Sequence, residues 1–188
     1  MEQTKRYNHL NEYLKNKFGE RILKICVDGG FTCPNRDGKI GTGGCIFCSE
    51  RGSGDHIDST LSIKKQVEEY FKSYRAKRAN KFIVYFQNYT NTYDSIENLK
   101  KKYDAALIDD RIVGIDIATR PDCINEEIAQ LIKSYSHKYY VWVELGLQTS
   151  NDNIGKIINR GYNTRQFSRA VDILNKYNID VVAHIMVG

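Results

Sequence analysis

The sequence predicts an α/β fold on a parallel sheet, and three observations predict it. Five short apolar runs alternate with stretches whose apolar residues recur every three to four positions. Each connection between successive runs is long enough to cross over and return in parallel. The runs are apolar at nearly every position, as strands covered on both faces should be, and polar residues gather where the runs end.

Residues 1–20 are polar, with Tyr7, Leu10, Tyr13, Leu14 and Phe18 in a weak helical pattern. They are read as an N-terminal extension to a core domain covering residues 21–188. The first strand is expected over 21–27. Residues 28–54 carry more than half of the fourteen glycines and one of the two prolines, so a long irregular loop follows. Loops of that length inside a compact domain are uncommon unless they are functional. Ile63, Val67, Tyr70, Phe71 and Tyr74 then mark one face of a helix, with Asp58, Ser59 or Thr60 as its cap.

A strand at 81–87 and the polar turn NYTNTYD lead to a helix over 95–107 and a strand at 112–118. The segment Thr119 to Cys123 leads to a helix opened by Asn125, with Ile128, Leu131, Ile132 and Tyr135 on its apolar face. A strand at 140–147 comes next. Ile154, Ile157 and Ile158 form a further helical stripe, Phe167, Ala170, Val171 and Leu174 another, and a strand at 180–187 ends the sequence. Polar groups at strand ends include Gln87 to Thr92, Thr119, Arg120, Gln148 and Thr149, and parallel α/β proteins bind ligands at those ends. No helix is expected after the last strand to cover it, so the chain reads as part of a longer protein.

With 41% hydrophobic residues the chain is too apolar to be disordered, and its net charge of +5 comes from interspersed residues rather than a basic tail. The first twenty residues lack the apolar core of a signal peptide, and no run approaches the ~18 apolar residues of a membrane span. A cytoplasmic location without membrane contact is therefore expected. In that reducing compartment five cysteines point to metal binding or chemistry rather than to disulfides.

Cys33, Cys45 and Cys48 stand in CPNRDGKIGTGGCIFC, a CX11CX2C spacing. The close pair can chelate one centre, and Gly41, Gly43 and Gly44 let the backbone fold back toward Cys33. Three soft thiolates suit an iron–sulfur cluster or zinc. Structural zinc needs four protein ligands, which His56 or Cys26 could complete, although no second close pair is present. A cluster on three cysteines leaves one iron open to a small-molecule ligand. Cys26, inside a strand, reads as a small buried hydrophobe and Cys123 as structural. Glu144 inside an apolar strand would be expensive without a partner, which favours a functional or ion-paired role. His184 reads as a satisfied core histidine, Asn88, Asn91 and Thr92 also fit turn formation, and the basic residues from Lys72 to Lys81 fit a solvated helix face.

The loop DGGFTCPNRDGKIGTGGCIFCS, with FQNYTNTY, TRPDC, ELGLQTSND and INRGYN, resembles the radical S-adenosylmethionine (radical SAM) superfamily. More narrowly it resembles the YhcC/YtqA-type group related to the Elongator catalytic-subunit class. The superfamily's usual CX3CX2C is replaced by the longer spacing of that group. The resemblance implies a partial triosephosphate-isomerase-type barrel with parallel strands, truncated here after its fifth strand. It implies a 4Fe–4S cluster on Cys33, Cys45 and Cys48 whose open iron binds S-adenosylmethionine (SAM). Reductive cleavage of SAM then gives a 5′-deoxyadenosyl radical that abstracts hydrogen from substrate.

By the same resemblance the block Gln87 to Asn91, with Gln87 and Asn88 foremost, falls where the methionine amino group is gripped. Thr119, Arg120, Glu144 and Gln148 fall where ribose and carboxylate contacts arise, and residues 184–188 where adenine packs. Arg120 suits a carboxylate, and Glu144 or Gln148 suits ribose hydroxyls. The implied partners are a transfer RNA substrate modified at its wobble uridine and an electron donor such as flavodoxin or ferredoxin. The competing reading is a zinc-stabilised nucleic-acid-binding module without catalysis, which would unfold without its metal.

Overall fold

A computed structural model describes residues 6–52, 54 and 57–187. The order of elements is α1 (Leu10–Phe18), β1 (Ile22–Val27), α2 (Ile63–Lys72), β2 (Lys81–Phe86), α3 (Ile96–Ala106), β3 (Ile112–Thr119), α4 (Glu126–Tyr135), β4 (Tyr140–Gln148), α5 (Asp152–Ile157), α6 (Thr164–Lys176) and β5 (Asp180–Ile185). The five strands form one sheet in the order β1-β2-β3-β4-β5, every pair parallel. Each strand therefore lies beside its predecessor in sequence, which is the winding of a barrel left open between β1 and β5.

One face of the sheet carries the main core. Ile25, Val27, Val84, Phe86, Ile115, Ile117, Val143 and Leu145 pack there against Val67 of α2, Leu99 and Tyr103 of α3, Ile128 and Ile132 of α4, and Leu174 of α6. The inner face alternates with it. At one end Ile22, Ile83 and Trp142 bury Leu14 of α1, so the N-terminal helix closes the bottom of the open barrel. Higher on the same face the alternate positions of β1, β2, β3 and β4 are Lys24, Tyr85, Asp116 and Glu144. The strands are thus not apolar on both sides, as their sequences suggested. Half of each faces a polar interior, and long side chains such as Tyr85 disguise the alternation.

Two local expectations change. The cap of α2 is Ser62, whose hydroxyl accepts from Lys65 N, while Asp58 accepts from Thr60 in a turn ahead of it. A cap must sit one residue before the first helical turn, and residues 58–61 are spent on that preceding turn. The isoleucine stripe of α5 is also not a core face, since Ile154 and Ile157 are 44% and 73% exposed. Asn125 caps α4 as expected, Ser95 at the expected start of α3 is its cap, and Asn163 with Gln166, which the sequence reading did not name, forms a capping box on α6. No described helix is long and apolar enough to cross a membrane.

Candidate metal and cofactor site

The loop after β1 lies across the carboxyl-terminal edge of the sheet and is held there by side chains rather than by regular structure. Cys33 O accepts the backbone amides of Arg36 and Asp37, turning the chain at once. Asn35 Nδ2 donates to Asn159 O at 2.7 Å, and Asn159 Nδ2 returns a bond to Gly44 O at 2.6 Å. Arg36 donates to Cys48 O at 3.1 Å and Ser49 O at 2.6 Å. Gly44 has φ +70° and packs on the Arg36 side chain, where an added Cβ would lie 2.8 Å from Nε. Those bonds bring Cys33, Cys45 and Cys48 to one cavity, all three as free thiols. Burial pushes the Cys45 thiol up, opposed by the Arg120 charge and by the Asn35 amide 3.8 Å from its sulfur.

The same cavity is lined by Gln87, Thr119, Arg120, Glu144 and Gln148, five of the side chains expected at a cofactor. Asn88 is not among the lining residues. It is 2% exposed and donates from Nδ2 to Asp28 Oδ2 at 2.7 Å, which fastens the start of the loop to the end of β2. Thr119 Oγ1 lies 2.6 Å from Thr92 Oγ1. Arg120 uses its fork on Asp122 at 3.0 and 2.8 Å and donates from Nη1 to Arg160 O at 3.0 Å, so its bidentate partner is a residue of this chain. Gln148 sits at a register shift of β4 with φ +64°, a conformation that L residues hold only when their surroundings impose it.

Glu144 is fully engaged. Its Oε1 accepts Lys24 Nζ at 2.7 Å and Trp142 Nε1 at 3.4 Å, and its Oε2 accepts Tyr85 OH at 2.8 Å and His184 Nε2 at 2.6 Å. Lys24 Nζ also lies 2.5 Å from Asp116 Oδ2. Burial alone raises the Glu144 carboxyl, but hydrogen bonds from His184 and Asp116, with the Lys24 charge, outweigh it and hold it well below the usual carboxylate range. Asp116 moves the other way, raised by burial and by the Glu144 charge.

Tyr89 and Thr90 of the Gln87 to Asn91 block also line the cavity, whereas Arg36, Tyr85 and Tyr162 carried no sequence signal strong enough to single them out. Thr90 is fully buried and its hydroxyl has no partner among the described residues. Its place in the FQNYTNTY block was the available clue. Of the other thiols, Cys26 lines a separate cavity with Gln66, Glu69, Tyr70 and Arg75 at the edge of β1. Cys123 lines a third with Tyr93 and Ile128, and burial pushes its thiol up to about 12. His56, the other candidate for a fourth zinc ligand, lies outside the described residues.

Among the described residues no three His, Cys, Asp or Glu side chains come close enough together to hold a single metal ion. A cluster takes one thiolate at each of three corners and leaves the fourth iron open. Three free thiols around one cavity, an orphaned Thr90 hydroxyl and polar strand ends beside them fit a cluster with a polar small-molecule ligand.

An open parallel barrel with a three-thiol loop over its carboxyl-terminal edge is an α/β architecture with a candidate cluster site. The chain belongs to the radical SAM superfamily, whose sequence model matches residues 35–188. Members of that superfamily bind a 4Fe–4S cluster and S-adenosylmethionine. Over 98% of its length the chain is 40% identical to YtqA of Bacillus subtilis, and over its whole length 35% identical to YhcC of Escherichia coli K12. It spans 58% and 60% of those two proteins. A stretch covering 42% of the chain is 37% identical to 16% of the tRNA uridine(34) acetyltransferase of Dehalococcoides mccartyi. The fold matches Elp3 of the archaeon Methanocaldococcus infernus with a TM-score of 0.58 at 19% identity, covering 89% of this chain and 38% of that one.

Proposed function

We propose that this chain is the cofactor-binding core of a radical SAM enzyme in which Cys33, Cys45 and Cys48 hold the cluster and Gln87, Thr90, Thr119, Arg120 and Gln148 surround SAM. Residues 21–188 form that core and residues 1–20 its extension. One observation supports the reading above others: three free thiols from the loop after β1 open onto the same cavity as the strand-end polar groups of β2, β3 and β4. When bound, the reduced cluster supplies the electron that splits the sulfonium carbon–sulfur bond of SAM and starts hydrogen-atom abstraction.

The chain's own residues bind, orient and exclude water. Thr90 offers a hydroxyl that a polar ligand would satisfy. Arg120, locked by Asp122, presents a fixed positive charge that opposes the effect of burial on the Cys45 thiol. Asn88 and Glu144 act in this reading through the groups they position. The substrate is a transfer RNA, on the strength of the stretch shared with the uridine(34) acetyltransferase, and the net charge of +5 is compatible with RNA. An acidic electron carrier such as flavodoxin or ferredoxin delivers the electron, in the cytoplasm.

Anaerobic reconstitution with iron and sulfide, followed by dithionite and SAM, tests this reading. A brown chromophore and 5′-deoxyadenosine are expected, and both should be lost in Cys33→Ala, Cys45→Ala or Cys48→Ala. One tightly held zinc per chain with no chromophore would overturn it.

A further inference from the structure

One polar side chain from each of the five strands meets on the inner face of the sheet: Lys24, Tyr85, Asp116, Glu144 and His184. Glu144 is at the centre and receives Lys24, Tyr85 and His184 directly. Tyr85, Glu144 and His184 also line the cysteine cavity. The Glu144 carboxylate, expected at ribose hydroxyls, is taken up within this layer instead. Hydrogen-atom abstraction needs neither acid nor base, so a carboxylate-backed imidazole facing the cavity points to a proton transfer that accompanies it.

We propose that His184, held by Glu144, is the proton-transferring group of this cavity and acts on an O–H or N–H of the substrate beside the carbon that loses hydrogen. The proposal rests on the radical SAM reading above. An ionised carboxylate only accepts hydrogen bonds, so His184 Nε2, 2.6 Å from Glu144 Oε2, carries a proton. In the neutral ring the lone pair is then on Nδ1, which has no partner among the described residues, and the side chain is 46% exposed. In the step, the substrate O–H or N–H bond breaks, the Nδ1–H bond forms, and the bonding electron pair stays on oxygen or nitrogen. Glu144 balances the imidazolium charge, and no oxidant or reductant is consumed. Around the ring the titratable groups are Glu144 and Tyr85, with Lys24 and Asp116 behind them. Lys24 Nζ, 2.7 Å from Glu144 Oε1, and the Tyr85 hydroxyl, 2.8 Å from Oε2, favour the carboxylate over a neutral carboxyl.

The chain has four histidines, so nitrogen-15 NMR of labelled imidazoles resolves the ring, with His184→Gln identifying its signal. The expected result is a neutral ring protonated at Nε2. Glu144→Gln should weaken proton binding by about tenfold or more, because an anion is lost beside the imidazolium. Tyr85→Phe, which frees a lone pair of Glu144, should strengthen it. With the loaded enzyme and total transfer RNA from cells lacking the protein, turnover should rise with pH through the same midpoint, and this acid limb should move down with it in Glu144→Gln. An Nδ1-protonated neutral ring, a midpoint that neither variant moves, or a limb that stays when the midpoint shifts would overturn the proposal. If the wild type forms 5′-deoxyadenosine but leaves that RNA unchanged, the RNA reading falls and the ring titration alone decides.

Discussion

Glu144 Oε2 and His184 Nε2 lie 2.6 Å apart, a contact between β4 and the edge strand β5. Through the other oxygen of the same carboxylate the contact continues to Lys24 on β1, so the two edges of the open barrel meet at one side chain. The sheet's inner face is organised by charge where its outer face is organised by apolar packing.

Removing Lys24 should show how much that organisation contributes. Lys24→Met leaves Glu144 and Asp116 buried without their cation, and losing one partner of a buried pair costs about 3–5 kcal/mol. A fall of that size in urea-unfolding stability at neutral pH is expected. A change below about 1 kcal/mol would show that the network is hydrated and weak.

The carboxyl pair predicts two opposite pH dependences. Glu144 is held below its ordinary range, so its stabilisation is present above the unfolded-state value of about 4.3 and is lost as pH falls through the folded one. Asp116 is raised, so its effect is most favourable below the unfolded-state value of about 3.9 and declines as pH rises through the folded one. Asp116→Asn should therefore flatten the pH dependence of stability above about 4. Denaturation curves across pH would reveal it, and an unchanged slope above that pH would show that the Asp116 carboxyl is not raised.

Gly146 admits the bent end of β4. A Cβ there would stand 2.8 Å from Gln148 Nε2 and 2.9 Å from Tyr162 OH, so Gly146→Ala should cost about 1–3 kcal/mol. Gln148→Gly relieves the positive φ and should leave stability unchanged or improved while weakening SAM binding. Thermal unfolding with a SAM titration by calorimetry separates the two effects.

The cysteine loop depends on Asn35 and Arg36. Asn35→Ala breaks its link to Asn159, and Arg36→Ala leaves carbonyls of the loop without donors. Each variant should retain less iron per chain after reconstitution while keeping the wild-type circular dichroism. Full iron loading in both would show that the thiols assemble without these ties.

The helix caps offer a smaller check. Ser62→Ala should cost about 1 kcal/mol, whereas Thr60→Ala should cost little, since Ser62 and not Thr60 closes α2. Equal losses would return the cap to the earlier residue.

The strands, most helix starts and the three cysteines were legible because each leaves a local mark: a run of apolar residues, a capping side chain three positions before an amide, a spacing around two thiols. The cap of α2 and the exposed isoleucines of α5 were not, since both depend on what the neighbouring chain occupies. Asn88 shows the same limit at the site. In sequence it stands beside Gln87 at the end of β2, and only the approach of Asp28 turns its amide away from the cavity.

By itself the sequence determined the alternating parallel architecture, the family and the three thiols, because periodicity and spacing are properties of a chain read along its length. The tertiary structure alone decided that Lys24, Tyr85, Asp116, Glu144 and His184 form one layer. Lys24 and His184 are 160 positions apart in the chain, and no local pattern links them. A curled parallel sheet turns alternate residues of all its strands toward one interior, and there a buried carboxylate needs every donor it can reach.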